Sequence, residues 1–183
     1  TDIKVLFTKF IINIGELWIF TNKIWVKALH KPNWEIIGKE NIKSNGWTIA
    51  TSNHQSFADI FLLQDITNMK MPMLKFFMKY VLIYVPLIGL SWWALDMPFL
   101  KRYTKKQLEK NPKLVGKDVK EMKRALKHYS LYPVTVFSFA EGTRFTVKKH
   151  RNQNSPFDNL LKPKEGGLAT ALSLVNKIDS LID

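Results

Sequence analysis

Residues 51–60, TSNHQSFADI, place His54 and Asp59 five positions apart where a short apolar strand gives way to a helix. A carboxylate that accepts a hydrogen bond from one imidazole nitrogen fixes the tautomer, so that the other nitrogen can take a proton from a substrate hydroxyl. The pair is therefore a candidate general base. The same residues also read as a capping box, Ser56 and then Asp59 ahead of an apolar run, in which both side chains satisfy backbone donors at a helix start. A second group, Glu141, Gly142, Thr143 and Arg144, follows the apolar run VTVFSF at 134–139. A glycine that lets the backbone turn closely, a hydroxyl and a planar fork of donors have the form of an anion site. Taken alone, the group reads better as a surface turn closed by a Glu141–Arg144 ion pair. Lys164, in KPKEGG, adds a cation before a Gly-Gly turn into a helix over 168–175.

The elements that must position these groups alternate along the chain. Residues 3–29 carry apolar positions at helical spacing, with Ile3, Leu6, Phe7, Phe10, Ile11, Ile14, Leu17 and Trp18 on one side and Lys9, Asn13, Glu16 and Lys23 in a polar stripe. Too interrupted for a span of roughly twenty apolar residues, this helix is expected to lie on or partly in a membrane. Trp18 and Trp25 would anchor it, with Lys23, Lys27 and Lys31 toward phosphates. A core helix of a soluble bundle is the competing reading. Pro32 should end the helix, a strand is expected over 34–38, and an Asn45-Gly46 turn leads into a second strand over 47–52. A helix from Phe57 to about Thr67 follows, then a strand within 72–79. From Tyr80 to Leu100 the only charge is Asp96, but Pro86, Gly89 and Pro98 break the stretch. It reads as a short helix, a turn and a strand at 97–100 that leave a greasy surface or an acyl-sized cleft. A helix with Lys117, Lys120, Arg124 and Lys127 on one face and Val119, Met122 and Leu126 on the other precedes Pro133 and the strand 134–139, the clearest in the chain.

The 183 residues require only one core, with residues 1–31 as a membrane-associated helical segment and 32–183 as the body. Lys and Arg outnumber Asp and Glu by 28 to 15, a net charge of +13, which calls for an anionic partner. Six Trp and twelve Phe favour a lipid surface over nucleic acid, for which no recognition helix or stacking platform is present. The absence of cysteine excludes disulfides, thiolate metal sites and a Cys nucleophile. Beginning at Thr1 and stopping at NKIDSLID, the chain is expected to be a fragment of a longer protein.

Three blocks in this order resemble the glycerolipid acyltransferases typified by 1-acyl-glycerol-3-phosphate acyltransferase. They are NHQSFAD at 53–59, PLIGLSWWALDMPFLKR at 86–102 with Phe99 and Arg102 in the matching places, and FAEGTRFT at 139–146. The likeness covers roughly residues 34–174 and is similar in detail to the branch of bacterial inner-membrane and eukaryotic lysophospholipid enzymes. It implies an α/β fold with a mixed, largely parallel sheet flanked by helices, behind the N-terminal amphipathic anchor. It also implies acyl transfer from acyl-CoA or acyl-carrier protein to a lysophospholipid hydroxyl, most simply lysophosphatidic acid giving phosphatidic acid. In that scheme His54 is the base and Asp59 orients it, while Arg102, beside Lys101, joins Glu141, Gly142, Thr143 and Arg144 around the acceptor phosphate.

A thioester is already activated, so the resemblance implies neither metal nor cofactor. The partners would be a phospholipid membrane and the two substrates, with no nucleic acid, at the cytoplasmic face of a bacterial inner membrane. The family ordinarily continues into a further apolar strand with a proline, which this sequence stops short of. The alternative is a non-catalytic binder of anionic lipid surfaces that uses only the N-terminal helix and the basic face.

Overall fold

The structure, a computed structural model, describes residues 2–30, 35–42, 45–175 and 177–183. Helix α1 (Asp2–His30) leads, and after a 3-10 turn (Lys39–Asn41) come strand β1 (Thr48–Ser52) and helix α2 (Ala58–Thr67). Strands β2 (Leu74–Phe76) and β3 (Met78–Lys79), a 3-10 turn (Tyr80–Tyr84), α3 (Ile88–Ala94) and β4 (Phe99–Leu100) follow. The rest is α4 (Lys105–Lys110), a 3-10 turn (Pro112–Leu114), α5 (Lys117–Tyr129), β5 (Thr135–Phe139), α6 (Val147–Gln153), α7 (Glu165–Leu174) and β6 (Ser180–Ile182). The fold is α/β, a parallel sheet flanked by helices.

Four strands pair in the order β2-β5-β1-β6, and β3 and β4 form a separate short ladder. Every pairing among the described residues is parallel, so the expected mixture of directions is not found there. The strand expected over 34–38 does not form among the described residues. Trp34, like Lys31 and the Pro32 helix stop before it, lies outside the described residues, while Ile37 and Gly38 form a turn. Gly38, at φ +78°, reverses the chain, and its carbonyl accepts from the Asn41 amide, so extension is lost before it can pair. Conversely β6, unanticipated in the sequence, adds to β1 through Thr48↔Ser180 and Ala50↔Ile182.

Parallel strands are buried on both faces, which is why β5 and β1 read as continuous apolar runs. On one face Ala50, Leu74, Phe76 and Phe137 pack under Ile60 and Leu63 of α2 and Trp92 of α3. On the other, Ile49, Val134 and Val136 pack under Leu126 and Tyr129 of α5 and Leu168 and Ala171 of α7. The buried stripe of α5 is Met122, Leu126 and Tyr129; Val119, one turn earlier on the same line, lies in the first turn of the helix and is exposed. Gly166 and Gly167 form the first turn of α7 instead of a separate turn before it.

Helix α1 docks by a mixed face: Ile12 packs against the core, and Ile19 and Val26 face Phe61 and Leu62 of α2. Lys23 pairs with Asp65 of α2, and Glu16 faces the segment 69–72. Leu6, Phe7, Phe10, Leu17, Trp18 and Trp25 are left exposed on the outer side, while Ile11, expected with them, is half-buried. No described helix is long and apolar enough to cross a membrane.

Gly89, buried at the start of α3, packs so closely on the preceding turn that a methyl group would overlap the Ile83 carbonyl. Gly89→Ala should therefore cost about 1–3 kcal/mol. Gly167→Ala, where a methyl meets nothing, should gain about 0.5–1 kcal/mol. Urea unfolding midpoints of the two variants against the parent check both signs.

Candidate functional site

Because β1, β5 and β2 are parallel and adjacent, the turns that leave their carboxyl ends emerge at one edge of the sheet, where open α/β sheets bind ligands. The turn after β1 carries His54. Its Nδ1 lies 2.9 Å from Asp59 Oδ2, at the start of α2, and the same oxygen accepts from the amides of Gln55 (2.7 Å) and Ser56 (2.8 Å). Ser56 Oγ accepts from the Ala58 amide at 3.1 Å. Asp59 thus starts the helix and orients the imidazole at once. A bond from Nδ1–H to the carboxylate leaves the Nε2 lone pair as the free acceptor. The imidazole also stacks on Phe139, the last residue of β5, with ring centroids 3.8 Å apart and planes 12° from parallel. One hydrogen bond and a stacked ring therefore restrict its rotation.

Burial tends to raise the Asp59 carboxyl. The hydrogen bonds from Ser56, His54 and Gln55, together with the imidazole's charge, outweigh burial and hold it below its ordinary value.

The turn after β5 is fastened to the histidine turn by Glu141. Its carboxylate, 2 % exposed, accepts from the His54 amide through Oε1 (3.2 Å) and from the Leu161 amide through Oε2 (3.0 Å). Phe145 returns a bond from its amide to the His54 carbonyl at 2.7 Å. Glu141 therefore acts as an internal strut, with both oxygens turned to backbone. Gly142 follows at φ +65°, and a Cβ there would press on the Lys164 side chain 3.0 Å away. The glycine is what lets that lysine lie across the turn. Lys164 is held by its own amide, which donates to the Ala140 carbonyl at 2.8 Å.

Arg102 reaches the same turn from β4. Nη1 donates to the Gly142 carbonyl (3.1 Å) and Nη2 to the Phe77 carbonyl (2.9 Å). Its backbone, at φ +55°, is held there by Asp118 at the start of α5, which accepts from the amides of Lys101 (2.9 Å) and Arg102 (2.7 Å). The Lys101 ammonium lies over the Tyr80 ring, 4.8 Å from its centroid. Thr143 Oγ1 accepts from Lys149 Nζ at 2.8 Å, and that lysine also donates to the Arg144 carbonyl at 2.8 Å. The Arg144 guanidinium is exposed and makes no hydrogen bond or ion pair among the described residues. So His54, Asp59, Glu141, Gly142, Thr143, Arg102 and Lys164 meet at one edge, Arg144 extends from it, and the Lys101 side chain turns aside to Tyr80.

A sequence model of the family described as Acyltransferase matches residues 33–178, most of the 183. The chain belongs to the Acyltransferase family. No curated protein and no solved structure matches it. That family membership supports acyltransferase activity broadly. Phe139, Lys149 and Asp118 also brace the site, though none is singled out by the sequence. Phe139 stood within the quoted block, but its stacking follows from the β1–β5 register, and the bonds of Asp118 and Lys149 to the site turns show only in the fold. A cavity of about 470 Å³, between Asn13, Glu16 and Leu17 of α1 and the segment 69–72, opens at the amino ends of the strands and so away from this site.

With its folded-state pKa depressed, Asp59 contributes stability in full above its unfolded-state value of about 3.9, and that contribution is lost as pH falls through the lower folded-state value. Melting temperatures followed from about pH 6 to about pH 2.5 should show Asp59→Asn below the parent at the neutral end, with the gap closing at the acid end.

Proposed function

We propose that this acyltransferase moves a fatty acyl group from an acyl-CoA or acyl-carrier-protein thioester to the free hydroxyl of a lysophospholipid, most simply lysophosphatidic acid, giving phosphatidic acid. The observation that supports it is the His54–Asp59 pair held at one edge with the cationic Gly142 turn, the two fastened through Glu141. A base and a phosphate site in that arrangement suit a substrate whose hydroxyl and phosphate are separated by a glycerol backbone. His54 Nε2 takes the hydroxyl proton as the acceptor oxygen adds to the thioester carbonyl. Collapse of the tetrahedral adduct breaks the C–S bond, and the departing thiolate takes the proton from the imidazolium, which Asp59 stabilises until then. Arg102, Lys164 and Arg144 balance the acceptor phosphate, Arg144 with all its donors to offer.

The acceptor is a lipid, and the outer face of α1 suits the surface where it resides. Phe7, Phe10, Trp18 and Trp25 stand exposed on a helix that is anchored to the body by Lys23 and Asp65, the pattern of a helix lying in an interface. The +13 net charge favours an anionic lipid surface, and a thioester donor suits the cytoplasmic face of a bacterial inner membrane.

Turnover of labelled oleoyl-CoA with lysophosphatidate in phospholipid vesicles tests the reading. His54→Ala should lower kcat by about 10²–10⁴. Retention of more than about a tenth of the rate would remove the base assignment. Arg144→Ala should raise the acceptor KM about tenfold with kcat little changed, the loss of a charge-assisted contact made in ground and transition states alike.

A further inference from the structure

Lys75 is a lysine in the middle of β2 with 1 % of its surface exposed, on the sheet face covered by α5. Nothing in the acyl-transfer chemistry uses it. Its Nζ donates to the Leu95 carbonyl at 2.6 Å and lies 5.7 Å and 5.8 Å from the ring centroids of Tyr129 and Tyr132. The next residue, Asp96, sits at φ +54°, and both tyrosines hold it: Tyr129 Oη donates to its carbonyl (2.6 Å) and Tyr132 Oη to its Oδ2 (3.4 Å). His128 stands on the other side, with Nδ1 3.6 Å from Asp96 Oδ1. Burial pushes the Lys75 ammonium down to about 8, against the opposing pull of Asp96. A methionine would fill the same volume without that cost, so the directional bond is what the lysine adds.

That bond is one end of a lacing between two segments. Residues 75–79 hold residues 95–102 at three successive points: Lys75 Nζ to the Leu95 carbonyl, the Met78 amide to the Pro98 carbonyl (2.9 Å), and the Phe77 carbonyl to Arg102 Nη2 (2.9 Å). Between them β3 and β4 pair as Met78↔Phe99 and Lys79↔Leu100. The last lace is the guanidinium that also meets the Gly142 turn. We propose that Lys75 is a positioning residue: from the core it fixes the Leu95 carbonyl and the Asp96 turn, and so sets where Arg102 meets the Gly142 turn and the acceptor phosphate. The part concerning the phosphate rests on the function proposed above; the part concerning Arg102 does not.

Hydrogen exchange and kinetics on the full chain separate the two. In Lys75→Met, the amides of residues 97–102 should exchange about tenfold faster, while those of β1 and β5 stay within about twofold. The acceptor KM for lysophosphatidate should rise about tenfold, with kcat and the KM for oleoyl-CoA within about twofold. Combined with Arg102→Gln, the effects on acceptor KM should be less than multiplicative, since both act through one contact. Tyr129→Phe, which keeps the packing and removes the bond to the Asp96 carbonyl, should give the same local exchange pattern and serves if Lys75→Met fails to fold. Uniform acceleration, or none at 97–102, would overturn the inference. So would an unchanged acceptor KM in Lys75→Met when Arg102→Gln raises it. If Arg102→Gln itself leaves the acceptor KM unchanged, the phosphate site is wrong, and exchange alone judges Lys75.

Discussion

The in-register parallel pairing of β1 with β5, from Thr48↔Thr135 to Ser52↔Phe139, brings two turns out of the sheet side by side although they lie far apart in sequence. Pairing alone would leave them as independent loops. Glu141 joins them, because a carboxylate buried at that edge must find donors, and those within reach are the amides of His54 and Leu161. The return bond from Phe145 to the His54 carbonyl closes the link from the other side. The histidine's position is thereby set by backbone contacts, and Asp59 and Phe139 are left to set its ring. Loss of the strand register would scatter the site even with every side chain intact.

Charge and apolar surface are divided between different parts of this frame. At the site edge the cations are partly committed within the protein: Arg102 to two carbonyls, Lys149 to the Thr143 hydroxyl and the Arg144 carbonyl, with Arg144 itself left available. Such commitments fix geometry before a ligand arrives, which lowers what a ligand must spend in ordering. On α5 the cations form an outward face on one layer of the sheet, opposite the layer that carries α2 and α3. α1 adds an apolar outer face and is attached to α2 through polar and apolar contacts. A proposed role at a lipid surface thus draws on features that lie outside the chemistry.

Local features were the legible ones. His54 and Asp59 converge across one strand-to-helix junction, so spacing alone placed them, and the capping reading and the orienting reading of Asp59 proved compatible because one oxygen accepts three donors. The apolar run 134–139 announced a central strand. What depended on distant partners was hidden. A three-residue strand at 180–182, flanked by aspartates, carries no periodic signal of its own and exists because β1 offers an open side. A strand over 34–38 looked equally plausible, yet Gly38 turns it away. Lys75 in PMLKFFMK reads as a solvent-facing residue of an alternating strand; only the covering α5, with Tyr129 and the neighbouring Tyr132, shows that its side is interior. Glu141 looked like a partner for phosphate or for Arg144, and the register of two strands is what turns it inward.

The central claim is that this edge transfers an acyl group to a lipid hydroxyl through the oriented imidazole. Mass spectrometry of lipids extracted from vesicles holding a panel of lysophospholipids, after incubation of the chain with oleoyl-CoA, measures it most directly. The account predicts a product heavier by one oleoyl group, formed foremost from lysophosphatidate and nearly abolished by Asp59→Asn while the variant remains folded at neutral pH. Absence of any acylated lipid from the parent protein, or an equal yield from the folded variant, would contradict it.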